Sequence, residues 1–290
     1  MDFIANLMEY EFLQRALFTS VIVGIISGVI GSFIILRGMA LMGDAISHAV
    51  LPGIAISYML SINFFYGAVV TGLLTALGIG YVSQNSRIKS DSSIGIVFSA
   101  AFALGVLLIT KAQTAQDLTQ ILFGNVLAVS KSDMYLTLGI GVIVLVTVFA
   151  FYKELLISSF DETMAKVYGL PTSMIYYIIM TLLTLVTVAS LKTVGVILVV
   201  AMLITPASTA YLLTNQLSKM IFLAACFGAS SSMIGIYMSF TFNLQPGPLI
   251  VLVTTALFGL AFFFSPSQGL VWRKRRERRI KYTKIQKGDL

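Results

Sequence analysis

The residues best suited to chemistry in this 290-residue chain are Asp44 and His48, a carboxylate and an imidazole four positions apart. No Asp, Glu, Lys or Arg occurs from Ala45 to Ser86, and His48 is the only histidine in the sequence. Residues four apart share one face of a helix, so these two groups can converge on one cation. Ionisable groups are costly to keep inside an apolar segment, which favours a functional site. The spacing alone fits a polar contact between helices equally well.

One Asp and one His supply only two ligands, too few to hold a transition metal without water. Two copies of the chain related by a two-fold axis would supply four ligands, a mixed oxygen and nitrogen set suited to divalent manganese, iron or zinc. The site therefore predicts a homodimer with the ion on its axis. Met39 and Met42 lie close by in the sequence. Methionine in an apolar helix is usually a packing residue rather than a thioether ligand.

The elements that carry this pair are predicted to be membrane helices. The sequence is 58% hydrophobic and 11% charged with a mean hydropathy of +0.94, which excludes both a soluble globule and a disordered chain. A helix needs about 20 apolar residues to cross about 30 Å of hydrocarbon. The apolar piece 118–129 is too short and is predicted to lie as an interfacial helix at the outer face. The remaining charge-free windows predict an all-α polytopic bundle of about nine spans: 16–36, 42–60, 64–83, 92–110, 134–152, 172–191, 194–213, 220–242 and 248–265.

Positive charge predicts the orientation of this bundle, because Lys and Arg are enriched in cytoplasmic loops. With nine spans and the carboxyl end inside, the inner face holds fifteen basic residues and the outer face holds four. Nine of the fifteen lie in the segment 273–290, so this tail carries most of the inference. We interpret 1–272 as a transmembrane domain and 273–290 as a basic cytoplasmic tail that contacts anionic membrane lipid rather than nucleic acid.

No source of energy is encoded in the sequence, which lacks a G-x-x-x-x-G-K-[ST] phosphate loop. The sizeable inner loop before the tail is 153–171. Within it, Asp161 and Glu162 suit the start of a helix, and Gly169 suits its end. This segment is either a capped loop helix or a short docking helix that enters the groove of a partner.

The chain resembles the membrane permeases of the zinc/manganese/iron family of ATP-binding-cassette importers along essentially its whole length. Within that family it is similar to the manganese permeases of firmicutes. Four segments carry the resemblance: RGMALMGDAISHAVLPG at 37–53, ILFGNVLAV at 121–129, the loop 160–171, and VGVILVVAMLITPA at 194–207.

The resemblance implies a fold like that of the cobalamin importers (type II), in a bacterial plasma membrane. It also implies a homodimer, two ATP-binding subunits on the inner face and an extracellular metal-binding lipoprotein that delivers the ion. ATP is then hydrolysed on the partner, so the chain itself is expected to be no enzyme and to bind no cofactor. Asp44 and His48 match the metal site of the family. The residues that match its coupling loop are Asp161, Glu162, Ala165, Lys166, Gly169 and Leu170.

Manganese is the preferred prediction for the transported ion, with zinc or iron as alternatives. Zinc-transporting members of the family often have further membrane histidines, and this chain has none. An ion-coupled secondary transporter, with Asp44 carrying the proton, is a less favoured alternative because it predicts inverted repeats that the sequence does not display. An intramembrane metalloprotease is excluded, since one histidine cannot form an H-E-x-x-H motif.

Overall fold

The computed structural model describes residue 7, residues 9–112, residue 124 and residues 126–265. The predicted interfacial helix 118–129 falls mostly outside the described residues. The part of this segment that the structure describes contains a 3-10 turn at Val126–Ala128. The predicted tail 273–290 also lies outside them. The described residues form eleven α-helices: α1 Glu11–Leu36, α2 Leu41–Ala49, α3 Leu51–Met59, α4 Phe64–Asn85, α5 Ser90–Ala112, α6 Lys131–Ala150, α7 Tyr152–Phe160, α8 Glu162–Val167, α9 Thr172–Leu213, α10 Leu217–Phe242 and α11 Pro246–Phe264.

Seven of the described helices are long and apolar enough to cross a membrane. Six of these seven, namely α1, α4, α5, α6, α10 and α11, each coincide with one predicted span. The seventh is α9, whose 42 residues contain two predicted spans. The remaining predicted span, 42–60, is divided between α2 and α3, which have nine residues each. The chain is an all-helical polytopic membrane protein, as predicted, with seven candidate spans in place of the nine separate helices expected.

The second predicted span is broken at Val50, because Pro52 has no N–H for the carbonyl of His48. Val50 nevertheless keeps right-handed helical dihedrals, with φ −78° and ψ −11°. Its carbonyl accepts the N–H of Ile54 at 3.1 Å and the hydroxyl of Thr71 at 3.3 Å. Helices α2 and α3 therefore follow one path of 41–59, which is about 28 Å long at the helical rise.

Charged side chains mark two opposite ends of the bundle, one at each terminus of α1. Glu11 opens α1 and pairs with Lys131 at 3.2 Å. Arg37 follows the last residue of α1, about 39 Å further along the helix at 1.5 Å per residue. We call these the Lys192 end and the Arg37 end. The Lys192 end contains Glu11, Lys131, Asp133 and Lys192. The Arg37 end contains Arg37, Ser158, Ser159 and Glu162.

Helix α9 reverses direction at Gly195, the residue within it that has non-helical dihedrals (φ 79°, ψ 164°). Such dihedrals are accessible essentially to glycine alone. Next to this break, Lys192 pairs with Asp133 at the Lys192 end. Near the start of α9, Tyr176 lines a cavity with Arg37, and near its end Ala207 packs beside Leu36. The arms 172–194 and 196–213 therefore run in opposite directions between the two ends.

Helices α1 and α9 occupy the centre of the bundle, where 72% of the membrane-length window of each is buried. The corresponding value is 17% for α5 and 22% for α11, which lie at the periphery of the single chain. A peripheral helix that is apolar on its outer face suits contact with lipid or with a second copy of the chain. Helix α5 matters for the site because it packs against α2 and α3.

Helices α1 and α10 approach each other closely through glycines. A Cβ atom added to Gly228 would lie 2.2 Å from the carbonyl oxygen of Gly24, and one added to Gly28 would lie 2.6 Å from that of Ala224. The hydroxyl of Ser232 joins the same contact by donating to the carbonyl of Ser20 at 2.9 Å. Small residues thus allow backbone-to-backbone packing that holds α1 in the centre.

This packing predicts opposite effects for two alanine substitutions, one in α10 and one in α11. Gly228→Ala should destabilise the folded chain by about 1–3 kcal/mol, because the new methyl group meets backbone rather than a movable side chain. Gly259→Ala in α11 is the matched control, since its Cβ would have nothing within 4 Å, and the better helix propensity of alanine should stabilise by up to about 1 kcal/mol. Thermal unfolding of the two purified variants in detergent measures the difference. Equal melting temperatures would contradict the close approach of α1 and α10.

Candidate functional site

Asp44 and His48 form a partly exposed polar stripe on α2. Their side chains are 48% and 25% exposed, respectively, whereas the residues between them are buried. One of these, Ser47, donates its hydroxyl to the carbonyl of Gly43 at 2.8 Å, so its polar group is satisfied within the helix. The structure therefore brings the two predicted ligands to one face, as their spacing requires.

The two side chains are near each other without a tight mutual hydrogen bond. Nε2 of His48 lies 3.5 Å from Oδ1 of Asp44, beyond the usual hydrogen-bond length of about 2.7–3.2 Å. The imidazole ring also contacts Phe98 and Phe102 of α5, with ring centroids 6.0 Å and 5.7 Å away. The contact with Phe102 is edge-on, a favourable aromatic geometry. These contacts hold the ring in the orientation that presents Nε2 to Asp44.

The separation of the two side chains is compatible with two ligands of one ion. Two ligand bonds of about 2.1 Å that meet at about 109° would place the ligand atoms about 3.4 Å apart. The separation in the structure is 3.5 Å. Over the part of the chain that the structure describes, no group of three or more His, Cys, Asp or Glu side chains could hold a metal. As a metal site, the pair would need further ligands, which a second copy of the chain is predicted to supply.

The predicted docking segment forms the short helix α8, which begins and ends where the sequence indicates. Asp161 caps its start, with Oδ1 accepting the N–H of Met164 at 2.9 Å. Gly169 follows its end in the left-handed conformation, with φ 75°. Three bonds fix the rest of the helix: the Glu162–Lys166 ion pair at 2.8 Å, Gly169 N–H to the Lys166 carbonyl at 3.0 Å, and Leu170 N–H to the Ala165 carbonyl at 3.0 Å, the last two forming a Schellman motif.

Helix α8 has one buried face and one apolar exposed face. Ala165 is completely buried. The large side chains exposed on α8 and on the residues that flank it are Phe160, Met164, Val167 and Tyr168. Val167 is 77% exposed. We call these four residues the docking patch. Because exposed charges of Glu162 and Lys166 lie beside it, the patch faces water or a partner protein rather than lipid.

Arg37 lies in this region, and the sequence indicates it only as an inner basic residue and as the start of the family segment 37–53. Its Nη2 donates to Oγ of Ser158 at 2.7 Å, and its Nε donates to Oγ of Ser159 at 3.3 Å. Burial lowers the pKa of the Arg37 guanidinium, and the nearby carboxylate of Glu162 acts in the opposite direction. The group stays charged at neutral pH. Arg37 thus ties the α1–α2 corner to the end of α7.

A polar cavity of about 660 Å³ opens at the Arg37 end. It is lined by residues of α1, α4, α5, α7, α8 and α9, and it also reaches Met39 in the α1–α2 corner. Asp44 and His48 are not among its lining residues, so it is separate from the candidate metal site. Its polar members include Arg37, Ser158, Ser159, Glu162, Lys166 and Tyr176.

At the opposite end, Lys192 serves as a structural anchor. Its Nζ lies 2.6 Å from Oδ1 of Asp133 and 5.1 Å from the centroid of the Phe64 ring. The ion pair and the cation–π contact join the turn of α9 to the starts of α6 and α4. The amine of Lys192 is therefore engaged by contacts within the bundle.

Seven membrane-length apolar helices, with a partly exposed Asp–His pair on a further short helix, are the features of a polytopic membrane protein. The chain matches the ABC 3 transport family over residues 9–265. This match covers most of the sequence, and the protein belongs to that family, which confirms the resemblance carried by its motifs. As a permease subunit of an ABC transporter, the chain is not itself an enzyme.

The chain is similar to membrane proteins of transport systems over almost its full length. It is 64% identical over 277 residues to the manganese transport system membrane protein MntC of Listeria monocytogenes, with 96% of this chain and 99% of the relative covered. Its fold matches a chain of PsaBC from Streptococcus pneumoniae in complex with Fab, with a TM-score of 0.83, 52% identity and coverage of 92% and 96%. An inward-facing metal-chelate type ABC transporter shares the fold alone, with a TM-score of 0.66, 16% identity and coverage of 86% and 84%.

Proposed function

We propose that this chain is the membrane permease of an ATP-driven manganese importer. The observation that carries the proposal is the pair formed by Asp44 and His48, an incomplete cation site on a membrane helix. Membership of the ABC 3 transport family and the close similarity to a manganese transport membrane protein support the same function. The sequence has no phosphate loop, so the energy for transport comes from a separate ATPase.

The chain crosses the membrane nine times in this proposal. The path of 41–59 through α2 and α3 is one crossing, and the two arms of α9 on either side of Gly195 are two more. The other six crossings are the single long helices. The Arg37 end is then cytoplasmic and the Lys192 end extracellular, in agreement with the distribution of basic residues, and the permease follows the cobalamin-importer architecture.

A second copy of the chain completes the metal site. The Asp44 side chain is about half exposed on the single chain, and lipid cannot satisfy a carboxylate on a membrane helix. A two-fold axis beside α2 brings a second Asp44 and His48 to the same ion, which then has two oxygen-bearing and two nitrogen-bearing ligand side chains. A metal ion would be held by the carboxylate and neutral imidazole forms of these side chains.

The two ends of the bundle contact different partners. At the cytoplasmic Arg37 end, the docking patch on α8 enters a groove of an ATP-binding subunit, one for each copy of the permease. At the Lys192 end, an extracellular metal-binding lipoprotein delivers the ion. The complex lies in the plasma membrane of a bacterium.

Manganese suits the ligand set because half of the side chains are carboxylates and the remaining positions can be filled by water or carbonyl oxygens. Zinc prefers a closed tetrahedral site of nitrogen and sulfur ligands. Affinity nevertheless rises from manganese through iron for nearly any such site, so the preference of the importer depends on geometry and delivery. Zinc and iron are the alternative cargoes.

Reconstitution tests the proposed function. The tagged chain is purified from membranes of its own host, where we expect an ATP-binding subunit to copurify, and the complex is inserted into liposomes. We expect manganese transport that requires ATP and that fails when the chain is reconstituted alone. Transport by the chain alone, driven by a proton gradient, would contradict the proposal and favour a secondary transporter. Parallel assays with zinc and iron identify the preferred cargo.

A further inference from the structure

Arg37 connects the segment that carries the metal ligands with the segment that carries the docking patch. It lies in the α1–α2 corner, seven positions before Asp44. Its guanidinium donates to Ser158 and Ser159 in the last turn of α7. Two residues after Ser159, Asp161 caps α8. Within the described residues, the side-chain hydrogen bonds between this corner and α7 all come from Arg37.

The α1–α2 corner, which contains Arg37, is held rigid by backbone hydrogen bonds. Gly38 takes the left-handed conformation with φ 66°, and its N–H bonds to the carbonyl of Ile35 at 3.1 Å. The N–H of Met39 bonds to the carbonyl of Ile34 at 3.0 Å, which completes a Schellman motif at the end of α1. Met42 then bonds back to Met39 at 3.0 Å, so hydrogen bonding continues into α2. A displacement of Arg37 therefore moves the start of α2.

The junction between α7 and α8 is also fixed by backbone hydrogen bonds. The N–H of Asp161 bonds to the carbonyl of Ile157 at 3.0 Å, and the N–H of Ala165 bonds to the carbonyl of Asp161 at 3.0 Å. Ala165 is completely buried, so α8 cannot shift without its neighbours. Ser158 and Ser159 therefore move together with the docking patch.

We propose that Arg37 is a positioning residue that transmits movement of α8 to α2 and thereby opens or closes the metal site. The proposal rests on the proposed function, because it requires an ATPase at the docking patch and a metal at Asp44 and His48. When the ATPase displaces α8, the serines move with it and the two guanidinium bonds draw the α1–α2 corner along. A guanidinium suits this role because its planar fork holds two acceptors in a fixed geometry, which a lysine amine does not.

A second route of transmission runs through the backbone. Helix α9 follows α8 directly, and Leu203 in its second arm lies against Gly43 of α2. The polar cavity of about 660 Å³ lies where Arg37, Glu162 and Tyr176 face each other, so this part of the protein is not filled by apolar packing. The first route depends on the side chain of Arg37 and the route through α9 does not. Mutation of Arg37 therefore distinguishes the two.

The test is the amount of manganese transported per ATP hydrolysed by the reconstituted complex. For Arg37→Gln we expect this ratio to fall about 3- to 30-fold while ATP hydrolysis continues, because coupling is lost rather than catalysis. Arg37→Lys should be intermediate. Arg87→Gln, which changes an exposed arginine in the loop before α5, should match the wild type. Manganese binding without ATP should be unchanged in all three variants, since Asp44 and His48 are intact.

A mutant cycle adds the acceptors of the bridge. The double change Ser158→Ala with Ser159→Ala should reproduce the loss in Arg37→Gln, and combining all three changes should add little, because each removes the same hydrogen bonds. A normal transport ratio in Arg37→Gln would overturn the proposal and assign transmission to α9. Parallel loss of thermal stability and of ATPase binding would also overturn it, by showing a structural role. Absence of ATP-dependent transport in the wild-type complex would instead refute the proposed function, and with it the premise of this role.

Discussion

Replacing Asp44 with asparagine, or His48 with alanine, should reduce manganese uptake to the background of cells that lack the permease. Each change removes a ligand from both copies of the chain at once, so the ion loses two of its four protein side chains. The loss should be about 100-fold or more, because changes to groups that only orient a ligand already cost about 10- to 100-fold. Uptake of radioactive manganese by intact cells, with protein amounts matched by immunoblot, measures the effect.

Asp91→Asn is the matched control for the loss of a carboxylate. Asp91 is exposed in the first turn of α5 and belongs to the same chain, but it takes no part in the pair on α2. Its replacement should leave uptake close to the wild-type rate. Near-normal transport by Asp44→Asn and His48→Ala would show that the pair is only a polar contact between helices, the alternative that the spacing leaves open.

Placing a charge on the docking patch should separate the permease from its ATPase. Val167→Asp puts a carboxylate at the most exposed apolar position of α8, where a partner bound on the patch would have to bury the charge. We expect ATPase copurification to fall at least about 30-fold, equivalent to about 2 kcal/mol, and transport to be lost with it. Manganese binding by the permease should remain, because α8 is not part of the metal site.

Ile88→Asp is the control for this change. Ile88 is another exposed aliphatic residue, located in the loop between α4 and α5 and outside the docking patch. The variant should retain the ATPase. If Val167→Asp kept the ATPase as well as Ile88→Asp does, the exposed face of α8 would not be the contact surface, and α8 would be merely a capped loop helix.

The membrane helices could be predicted well because bilayer length and apolar composition are strong, local signals. The caps of α8 could be predicted equally well, since Asp161 and Gly169 act on the backbone within a few residues of their own positions. The pair on α2 could be found because charge is rare in an apolar window. Each of these signals is contained in a short stretch of sequence.

The rest of the fold depended on contacts between distant parts of the chain. The bridge from Arg37 to Ser158 and Ser159 spans more than a hundred positions, and no local pattern indicates it. The sequence shows only an arginine at the end of an apolar helix, which fits a topology anchor just as well. The break at Val50 and the reversal at Gly195 have visible causes in Pro52 and a glycine, but whether such residues bend, break or reverse a helix is decided by packing.

In the proposed importer, two copies of the chain share one ion through Asp44 and His48. The most direct test is the number of manganese ions bound per chain in the purified complex, measured by equilibrium dialysis with radioactive manganese. We expect one ion for every two chains, and no bound ion when Asp44 is replaced by asparagine. One ion per chain, or binding that survives Asp44→Asn together with His48→Ala, would contradict it.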